Sequence, residues 1–151
     1  MCKILFVCHG NICRSPIAEF IMKQLAAEQG VAERFYIESA ATSREELGNP
    51  VYPPAKKVLN NRGIDCSKKR ARQVTLADAE KFDYLICMDD YNIQNIKRLI
   101  KPEHFCKVYK LLDFTDNSGD VADPWYTGDF SATERDVENG CNGLLKFLLN
   151  K

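Results

Sequence analysis

Apolar residues along the chain fall into short continuous runs and into longer segments with helical spacing. Strands that alternate with helices indicate an α/β fold, in which a parallel sheet carries helices on both faces. The short runs predict four buried strands at residues 4–7, 35–40, 84–88 and 108–112. The helically spaced positions predict helices at 17–25, 53–62, 75–81, 90–100 and 131–148.

Turn and capping residues predict where these elements begin and end. Ser15 and Pro16 favour the start of the first helix, and Gly30 favours its end. Residues 131–134 read Ser-Ala-Thr-Glu, which is the capping-box pattern at the start of the last helix. The polar segments 41–52 and 113–130 are predicted loops, and ordered loops as long as the second are usually functional.

The segment between the first strand and the first helix reads Cys-His-Gly-Asn-Ile-Cys-Arg-Ser-Pro from residue 8. A loop that leads into a helix N-terminus turns its N–H groups toward a phosphate-sized anion, and the helix dipole adds partial positive charge. Gly10 and Asn11 tolerate the left-handed backbone that such a tight loop needs. The sequence therefore predicts an anion-binding loop that is not a nucleotide P-loop, because no Gly-Lys-Ser/Thr ending follows.

Three side chains of this loop could take part in a reaction. A thiol at Cys8 should ionise readily in the positive field of the helix N-terminus, and the thiolate is a nucleophile. The planar guanidinium of Arg14 can hold two phosphate oxygens. The Ser15 hydroxyl can hydrogen-bond the sulfur and favour its charged form. This combination predicts nucleophilic attack on a phosphate ester.

Cleavage of such an ester needs a general acid from outside the loop, and Asp123 is the candidate. Pro124 stiffens the backbone after it, and Trp125 and Tyr126 could wall a slot for a flat phenyl ring. From the residues alone, a simple turn at Asp123 with Trp125 in the core explains the pattern equally well.

Composition limits the remaining functions. The 151 residues carry 21 basic and 21 acidic side chains, so no net charge favours nucleic acid or an anionic membrane. The first apolar run is too short for a signal peptide, and no segment is long enough to span a bilayer. Seven cysteines, an odd number without a signal peptide, predict a reduced cytoplasmic protein, and no zinc motif occurs. Residues 68–72 are predicted to be a solvated basic loop or, alternatively, a field that attracts phosphorylated partners.

Taken with three further motifs, the loop sequence resembles the low-molecular-weight protein tyrosine phosphatase family along nearly the whole chain. The motifs are Ser39-Ala40-Ala41-Thr42, Met88-Asp89 with Asn92, and Asp123-Pro124-Trp125-Tyr126. The resemblance implies one domain over residues 1–151, with a four-stranded sheet in the order 2-1-3-4. It also implies metal-independent hydrolysis of phosphotyrosine through a phosphocysteine, with no cofactor. Cys8 would be the nucleophile, Arg14 the phosphate clamp, and Asp123 first the acid and then the base.

The resemblance assigns further roles around these three residues. Ser39 would fix the loop through Asn11, or be an ordinary strand-end serine, and Asp89 would orient Arg14 or only cap a helix. Cys13 would be a small buried side chain, or form a reversible disulfide with Cys8. Ala41 departs from the glycine of many relatives. The expected substrate-binding residues are His9, Gly10, Asn11, Ile12, Cys13, Ser15, Trp125 and Tyr126, with no catalytic role for His9.

The implied partners are tyrosine-phosphorylated proteins and phosphate-like anions, without nucleic acid or membrane, and the implied state is a monomer or weak dimer. Three other functions would require different residues. Arsenate reduction on this fold needs a second cysteine near Cys87, and residues 88–105 contain none. Phosphoarginine hydrolases of this type carry threonine in place of Ile12. A non-catalytic phosphotyrosine-binding module would not need Cys8, Arg14 and Asp123 together.

Overall fold

A computed structural model describes all residues, 1–151, and its centre is the buried strand formed by the first apolar run. Four parallel strands form one sheet in the order β2-β1-β3-β4, as the sequence predicted. The strands are β1 (Cys2–Cys8), β2 (Phe35–Ala41), β3 (Tyr84–Cys87) and β4 (Val108–Lys110).

Six α-helices and three short 3₁₀ segments connect the strands. No helix is both long enough and apolar enough to cross a bilayer. The α-helices are α1 (Arg14–Glu28), α2 (Pro53–Asn61), α3 (Leu76–Lys81), α4 (Asp90–Ile96), α5 (Pro124–Thr127) and α6 (Phe130–Leu149). The 3₁₀ segments are Ala32–Arg34, Pro102–Lys107 and Leu111–Phe114.

Alternate residues of β1 pack into separate cores on the two faces of the sheet. Ile4 and Phe6 join the larger core, which α1, α2 and α6 cover. Leu5 and Val7 join the smaller core, to which α3 and α4 contribute. All four side chains are completely buried, so the continuous apolar run is the sequence signature of a strand covered on both faces.

The carboxyl ends of the strands bring the predicted functional segments to one edge of the sheet. Cys8 pairs with Ala41 at the end of β2, and Val7 pairs with Cys87 at the end of β3. In open α/β sheets, ligands bind beyond this edge. The phosphate-loop candidate, Ser39 and Asp89 therefore meet there, as predicted.

Two predicted helix caps are wrong. α1 begins at Arg14 rather than after Ser15, and its N-cap residue Cys13 makes no side-chain hydrogen bond. The Ser15 hydroxyl instead contacts the Cys8 sulfur. α6 begins at Phe130, and Asp129 rather than Ser131 caps it by accepting a 2.9 Å hydrogen bond from the Ala132 N–H. In contrast, Thr75 caps α3 in a capping box, as predicted.

Three element boundaries also differ from prediction. β4 ends at Lys110, because Leu111–Phe114 turns into a 3₁₀ segment that packs against α6. α4 ends at Ile96 and does not reach Ile100. The predicted loop 113–130 contains the short helix α5.

The basic stretch 68–72 is only partly solvated. Arg72 forms ion pairs with Asp78 at 2.8 Å and Glu38 at 3.3 Å. The Lys69 side chain is 11% exposed and donates a 2.9 Å hydrogen bond to the Ser39 carbonyl. Two of the four cations, Lys69 and Arg72, thus hold elements together, which the cluster of charges in the sequence does not indicate.

Candidate active site

The loop between β1 and α1 presents its N–H groups inward because its carbonyl groups are bonded outward. The carbonyl oxygens of Cys8, His9 and Ile12 accept hydrogen bonds from the N–H groups of Thr42, Ser43 and Tyr52, at 2.9–3.0 Å. The N–H groups of Gly10, Ile12 and Cys13 donate to no acceptor within the protein. Three N–H groups of the loop are therefore available to an anion, and anion binding in this cradle stays a prediction.

Asn11 alone supplies the left-handed turn of this loop. Its φ is 59°, the only positive φ outside glycine in the chain, whereas Gly10 does not have a positive φ. The expectation of a left-handed Gly10 is therefore wrong. A Cβ at Gly10 would lie in ordinary contact with Glu46 Cγ, 3.4 Å away, so the loop that carries Glu46 lies directly over residue 10.

The Cys8 sulfur lies at the base of the cradle with three hydrogen-bond partners. The N–H groups of Asn11 and Ser15 donate to Sγ at 3.3 and 3.4 Å, and Ser15 Oγ lies 3.0 Å away. Three groups that can donate therefore converge on the sulfur and fix its position in the loop.

A buried chain of hydrogen bonds fixes the direction of the Ser15 hydroxyl. The Glu19 carboxylate accepts a 2.6 Å hydrogen bond from Ser39 Oγ, which in turn accepts one from Asn11 Nδ2 at 2.9 Å. Asn11 Nδ2 also donates to Ser15 Oγ at 2.8 Å. Because Ser15 Oγ accepts from the amide, its own hydrogen is free to point at the Cys8 sulfur.

The contact between Ser39 and Asn11 agrees with the prediction, but sequence reasoning missed Glu19 and its neighbour Lys69. Lys69 Nζ lies 3.8 Å from Glu19 Oε1 and compensates this buried charge, because burial of an unpaired carboxylate is costly. A sequence signal for Glu19 did exist. It is a charged residue inside the apolar face of α1, next to Ile17, Ala18, Ile21 and Met22.

Arg14 is 2% exposed and joins the loop to two other parts of the edge. Its Nη1 donates to Asp89 Oδ2 at 2.6 Å and to the Val121 carbonyl at 2.9 Å, and Nη2 lies 3.4 Å from Asp123 Oδ2. Burial alone would lower the pKa of Arg14, but Cys8, Asp89 and Asp123 outweigh it and raise the pKa. The guanidinium is therefore permanently charged beside the sulfur.

Asp89 performs both of the roles that the sequence left open. Its Oδ2 holds Arg14, and its Oδ1 accepts a 2.8 Å hydrogen bond from the Asn92 N–H as the N-cap of α4. The start of α4 thus sets the direction of the Arg14 side chain.

Asp123 faces the same pocket from the opposite wall. It is the N-cap of α5, where its Oδ1 accepts a 3.0 Å hydrogen bond from the Trp125 N–H. Trp125 is 53% exposed and lies against Tyr52, with ring centroids 4.9 Å apart, and Tyr126 is 84% exposed. The alternative with Trp125 in the core is therefore wrong.

The resulting pocket has a volume of about 120 Å³ and contains the three candidate catalytic side chains. Asn11 and Ser15 do not line it, because their side chains are bonded beneath the loop. The segment 41–52 was expected to form a loop that shapes peptide preference, but sequence reasoning did not single out Glu45 and Glu46 within it. The lining residues are Cys8, His9, Gly10, Ile12, Cys13, Arg14, Glu45, Glu46, Asp123, Trp125 and Tyr126.

Cys13 is a free thiol at the pocket wall. Burial is the main cause that raises its pKa to about 12, and the nearby negative groups at Cys8, Asp123 and Glu46 add to the effect. Cys13 therefore stays protonated near neutral pH and does not compete with Cys8 as a nucleophile. A disulfide between the two cysteines stays a prediction.

Comparison with known proteins places this geometry in a family context. The family model described as low molecular weight phosphotyrosine protein phosphatase matches residues 3–151. The low molecular weight protein-tyrosine-phosphatase YfkJ of Bacillus subtilis is 38% identical over 147 residues, covering 96% of this chain and 94% of that protein. The human low molecular weight phosphotyrosine protein phosphatase is 36% identical over 149 residues, covering 95% and 94%. The crystal structure of YfkJ superposes with a TM-score of 0.95 at 37% identity, covering 99% of this chain and 96% of that one.

Proposed function

This chain belongs to the low molecular weight phosphotyrosine protein phosphatase family and is a protein tyrosine phosphatase, and we propose that Cys8, Arg14 and Asp123 carry its chemistry. The observation that supports this assignment is the Cys8 sulfur, held by hydrogen-bond donors at the base of a pocket whose walls carry Arg14 and Asp123. Phosphotyrosine side chains of proteins are the substrates.

In the first step, the Cys8 thiolate attacks phosphorus and a P–S bond forms as the ester P–O bond breaks. The free N–H groups of the loop and the Arg14 guanidinium hold the three other phosphoryl oxygens and stabilise the charge that develops on them. Asp123 gives its proton to the departing phenol oxygen.

Substrate binding also changes the surroundings of Asp123. In the free protein its Oδ2 lies 3.4 Å from Arg14 Nη2. A bound phosphate dianion occupies the guanidinium and places negative charge beside the carboxylate. The Asp123 carboxyl group is then no longer paired with Arg14 and can face the leaving oxygen in the first step.

In the second step, water attacks the phosphocysteine and the P–S bond breaks. Asp123, now ionised, accepts the proton from water, and inorganic phosphate leaves with Cys8 again as the thiolate. The pair of steps returns every group to its starting state.

The proposal also includes the cellular location and the small ligands of the protein. We propose a cytoplasmic location, supported by seven cysteines that are all free, because oxidising compartments favour paired cysteines. Phosphate-like anions are proposed as competitive ligands of the loop. The expectation of a monomer or weak dimer stays a prediction, which sedimentation over a concentration series tests.

The test of the function is Cys8→Ser compared with wild type on free phosphotyrosine and p-nitrophenyl phosphate, without added metal. Wild type should turn over both, and Cys8→Ser should turn over neither while it still binds vanadate. The N–H groups and Arg14 remain in the variant, so anion binding reports an intact cradle. Turnover by Cys8→Ser would contradict the assignment of the nucleophile.

A further inference from the structure

The mouth of the pocket carries more negative than positive charge. Glu45, Glu46 and Asp123 line it, and Arg14 is the only guanidinium or ammonium group among the lining residues. Arg14 is 3% exposed at its side chain and is already paired with Asp89 at 2.6 Å. The carboxylates of Glu45 and Glu46 are therefore the charged groups that line the rim outside the phosphate cradle.

Both glutamates are held at the rim. Glu45 Oε2 lies 2.9 Å from His9 Nε2, with 70% of the Glu45 side chain exposed. Glu46 Oε2 accepts a 2.5 Å hydrogen bond from Asn49, and Glu46 Cγ lies over the loop at Gly10. Each side chain makes one such contact, so carboxylate oxygens remain available to a substrate.

The groove on the other side of Asp123 and Tyr126 contains no Lys or Arg side chain other than Arg14. It has a volume of about 420 Å³ and shares His9 and Arg14 with the first pocket. Its remaining lining residues are Asp89, Tyr91, Asn92, Asn95, Asp123 and Tyr126. A peptide that enters with its phosphotyrosine in the slot thus meets acidic or neutral side chains on either side.

We propose that Glu45 and Glu46 select phosphotyrosine that is flanked by lysine or arginine, and that they disfavour phosphotyrosine flanked by acidic residues. This inference rests on the proposed function. A basic flanking residue gains an ion pair at the rim, whereas an acidic one faces like charge. Discrimination against the wrong substrate through like charge is a recurrent source of specificity.

The expected size of this substrate preference follows from the solvent exposure of the two glutamates. Exposed ion pairs contribute up to about fivefold each in affinity, and salt weakens them. Two glutamates should therefore give on the order of a tenfold ratio in kcat/KM between Arg-flanked and Glu-flanked phosphopeptides at low ionic strength. The ratio should shrink as salt is added, because the rim is in contact with solvent.

The experiment measures kcat/KM for peptides with Arg, Lys, Ala or Glu directly before and after phosphotyrosine. The enzymes are wild type, Glu45→Gln, Glu46→Gln, the double variant and Glu28→Gln. Glu28 is an exposed residue at the far end of α1 from the loop, so its variant changes net charge equally without touching the rim. The readout is the Arg-to-Glu ratio of kcat/KM within each enzyme, which cancels any common loss of activity.

The proposal expects a ratio near tenfold in wild type and Glu28→Gln, and a ratio within about twofold in the double variant. A wild-type ratio near one, or a ratio that survives in the double variant, would overturn it. Turnover of free phosphotyrosine by wild type separates the two hypotheses. If it is present and the ratio is one, the inference about the rim fails while the proposed function stands. If it is absent, the function itself fails.

Discussion

At the scale of single residues, one hydroxyl proton decides how much the loop supports the nucleophile. Ser15 Oγ lies 3.0 Å from Cys8 Sγ, and either atom could donate in isolation. The Asn11 amide resolves this ambiguity because its Oδ1 accepts from the Arg72 N–H at 3.2 Å, which leaves Nδ2 to donate to Ser15. At the far end of the chain, the Glu19 carboxylate can only accept and so holds the Ser39 hydroxyl in the same direction.

Glu19→Ala should therefore slow the attack of Cys8 without touching the pocket. The Ser39 hydroxyl loses its acceptor and becomes free to reverse its direction, so the chain holds the Ser15 hydroxyl less firmly, and kcat/KM should fall by about two- to tenfold, the value of one hydrogen bond. Glu19→Gln keeps an acceptor oxygen and should lose less. The measurement is kcat/KM for p-nitrophenyl phosphate.

Lys23→Met is the matched control for this prediction. Lys23 Nζ contacts the other carboxylate oxygen of Glu19, Oε2, at 2.7 Å and is not part of the chain to Cys8. Lys23→Met should leave kcat/KM within about twofold of wild type. A loss in Lys23→Met as large as that in Glu19→Ala would contradict the role of the hydrogen-bond chain.

Asp123→Ala should slow substrates according to how much their leaving group needs a proton. A tyrosine phenol has a pKa of about 10 and leaves poorly as the anion, and general acid catalysis typically contributes ~10²–10⁴-fold. Phosphotyrosine cleavage should fall by about that factor, and p-nitrophenyl phosphate cleavage by distinctly less. Burst kinetics of the folded variant measure the cleavage step. Equal losses on both substrates would send the search for the acid to Asp120 or Asp129.

The role of a residue could be predicted where only a few residue types can perform the chemistry. It could not be predicted where the role depends on which segments the fold brings together. The nucleophile, the arginine and the acid were identifiable because few side chains can perform those tasks. Gly10 was assigned a left-handed backbone from type alone, but Asn11 carries it, since both residues tolerate that conformation. Glu45 and Glu46 carried no local signal for a pocket, because only the fold brings their loop over residue 10.

At the scale of elements, α6 determines where the fourth strand ends. Two glycines of α6 lie against the 3₁₀ segment Leu111–Phe114, and a Cβ on Gly143 would lie 2.1 Å from the Phe114 carbonyl oxygen. Leu111 and Leu112 therefore lie in a 3₁₀ segment packed against α6 and do not extend the fourth strand. A pattern of apolar residues at 108–112 could not show it, because the partner lies some thirty residues further along the chain.

Gly143→Ala should destabilise the protein although alanine favours helices. Overpacking against backbone costs about 1–3 kcal/mol or more, and the helix propensity of alanine returns about 1 kcal/mol. The melting temperature should fall by about 5 °C, since 1 kcal/mol shifts it by about 2–4 °C in a domain of this size.

Gly119→Ala, in the loop before α5, is the comparison for this glycine-to-alanine substitution. A Cβ at Gly119 would meet nothing within 4 Å, and its φ is not positive. Its melting temperature should stay within about 1 °C of wild type. Stability gained in Gly143→Ala would mean that α6 can move away from Phe114.

At the scale of the whole molecule, charge pairs across elements make stability depend on acid. Burial would raise the pKa of Asp78, but Arg72 and Thr75 outweigh it and lower the pKa. Burial would likewise raise the pKa of Glu38, but Tyr36, Arg72 and Lys81 lower it. A carboxylate with a lowered pKa in the folded state stabilises the fold above the unfolded pKa of about 4, and this contribution is lost as the pH falls below it.

Arg72→Met should therefore lower the free energy of unfolding by a constant amount above about pH 5, and by a decreasing amount below about pH 4. Urea unfolding at a series of pH values measures this difference. Arg70→Met is the control, because Arg70 is exposed and donates only to the carbonyl groups of Ser67 and Lys69. A difference for Arg72→Met that does not change with pH would contradict an electrostatic origin.

The overall architecture was the most predictable level, because buried parallel strands leave continuous apolar runs and their order followed from the family resemblance. Boundaries set by tertiary contacts were the least predictable. Ser131 matched a capping pattern, but α6 begins earlier, at Phe130. Asp129 is therefore the N-cap, and its carboxylate accepts from the Ala132 N–H. Local propensity offers several possible caps, and packing of α6 against α1 selects one.

The packing of α6 on α1 has a consequence for synthesis of the chain on the ribosome. The buried face of α1, which starts inside the phosphate loop, is covered by the last helix to be made, and Cys141 Sγ reaches the Ala18 carbonyl at 3.7 Å across 123 residues of sequence. Asp123 also belongs to this late segment. A nascent chain thus contains Cys8 and Arg14 long before it can fold around them. The cover over α1 is therefore complete only when residues from both ends of the sequence have come together, so the phosphate loop is built on the longest-range packing in the chain.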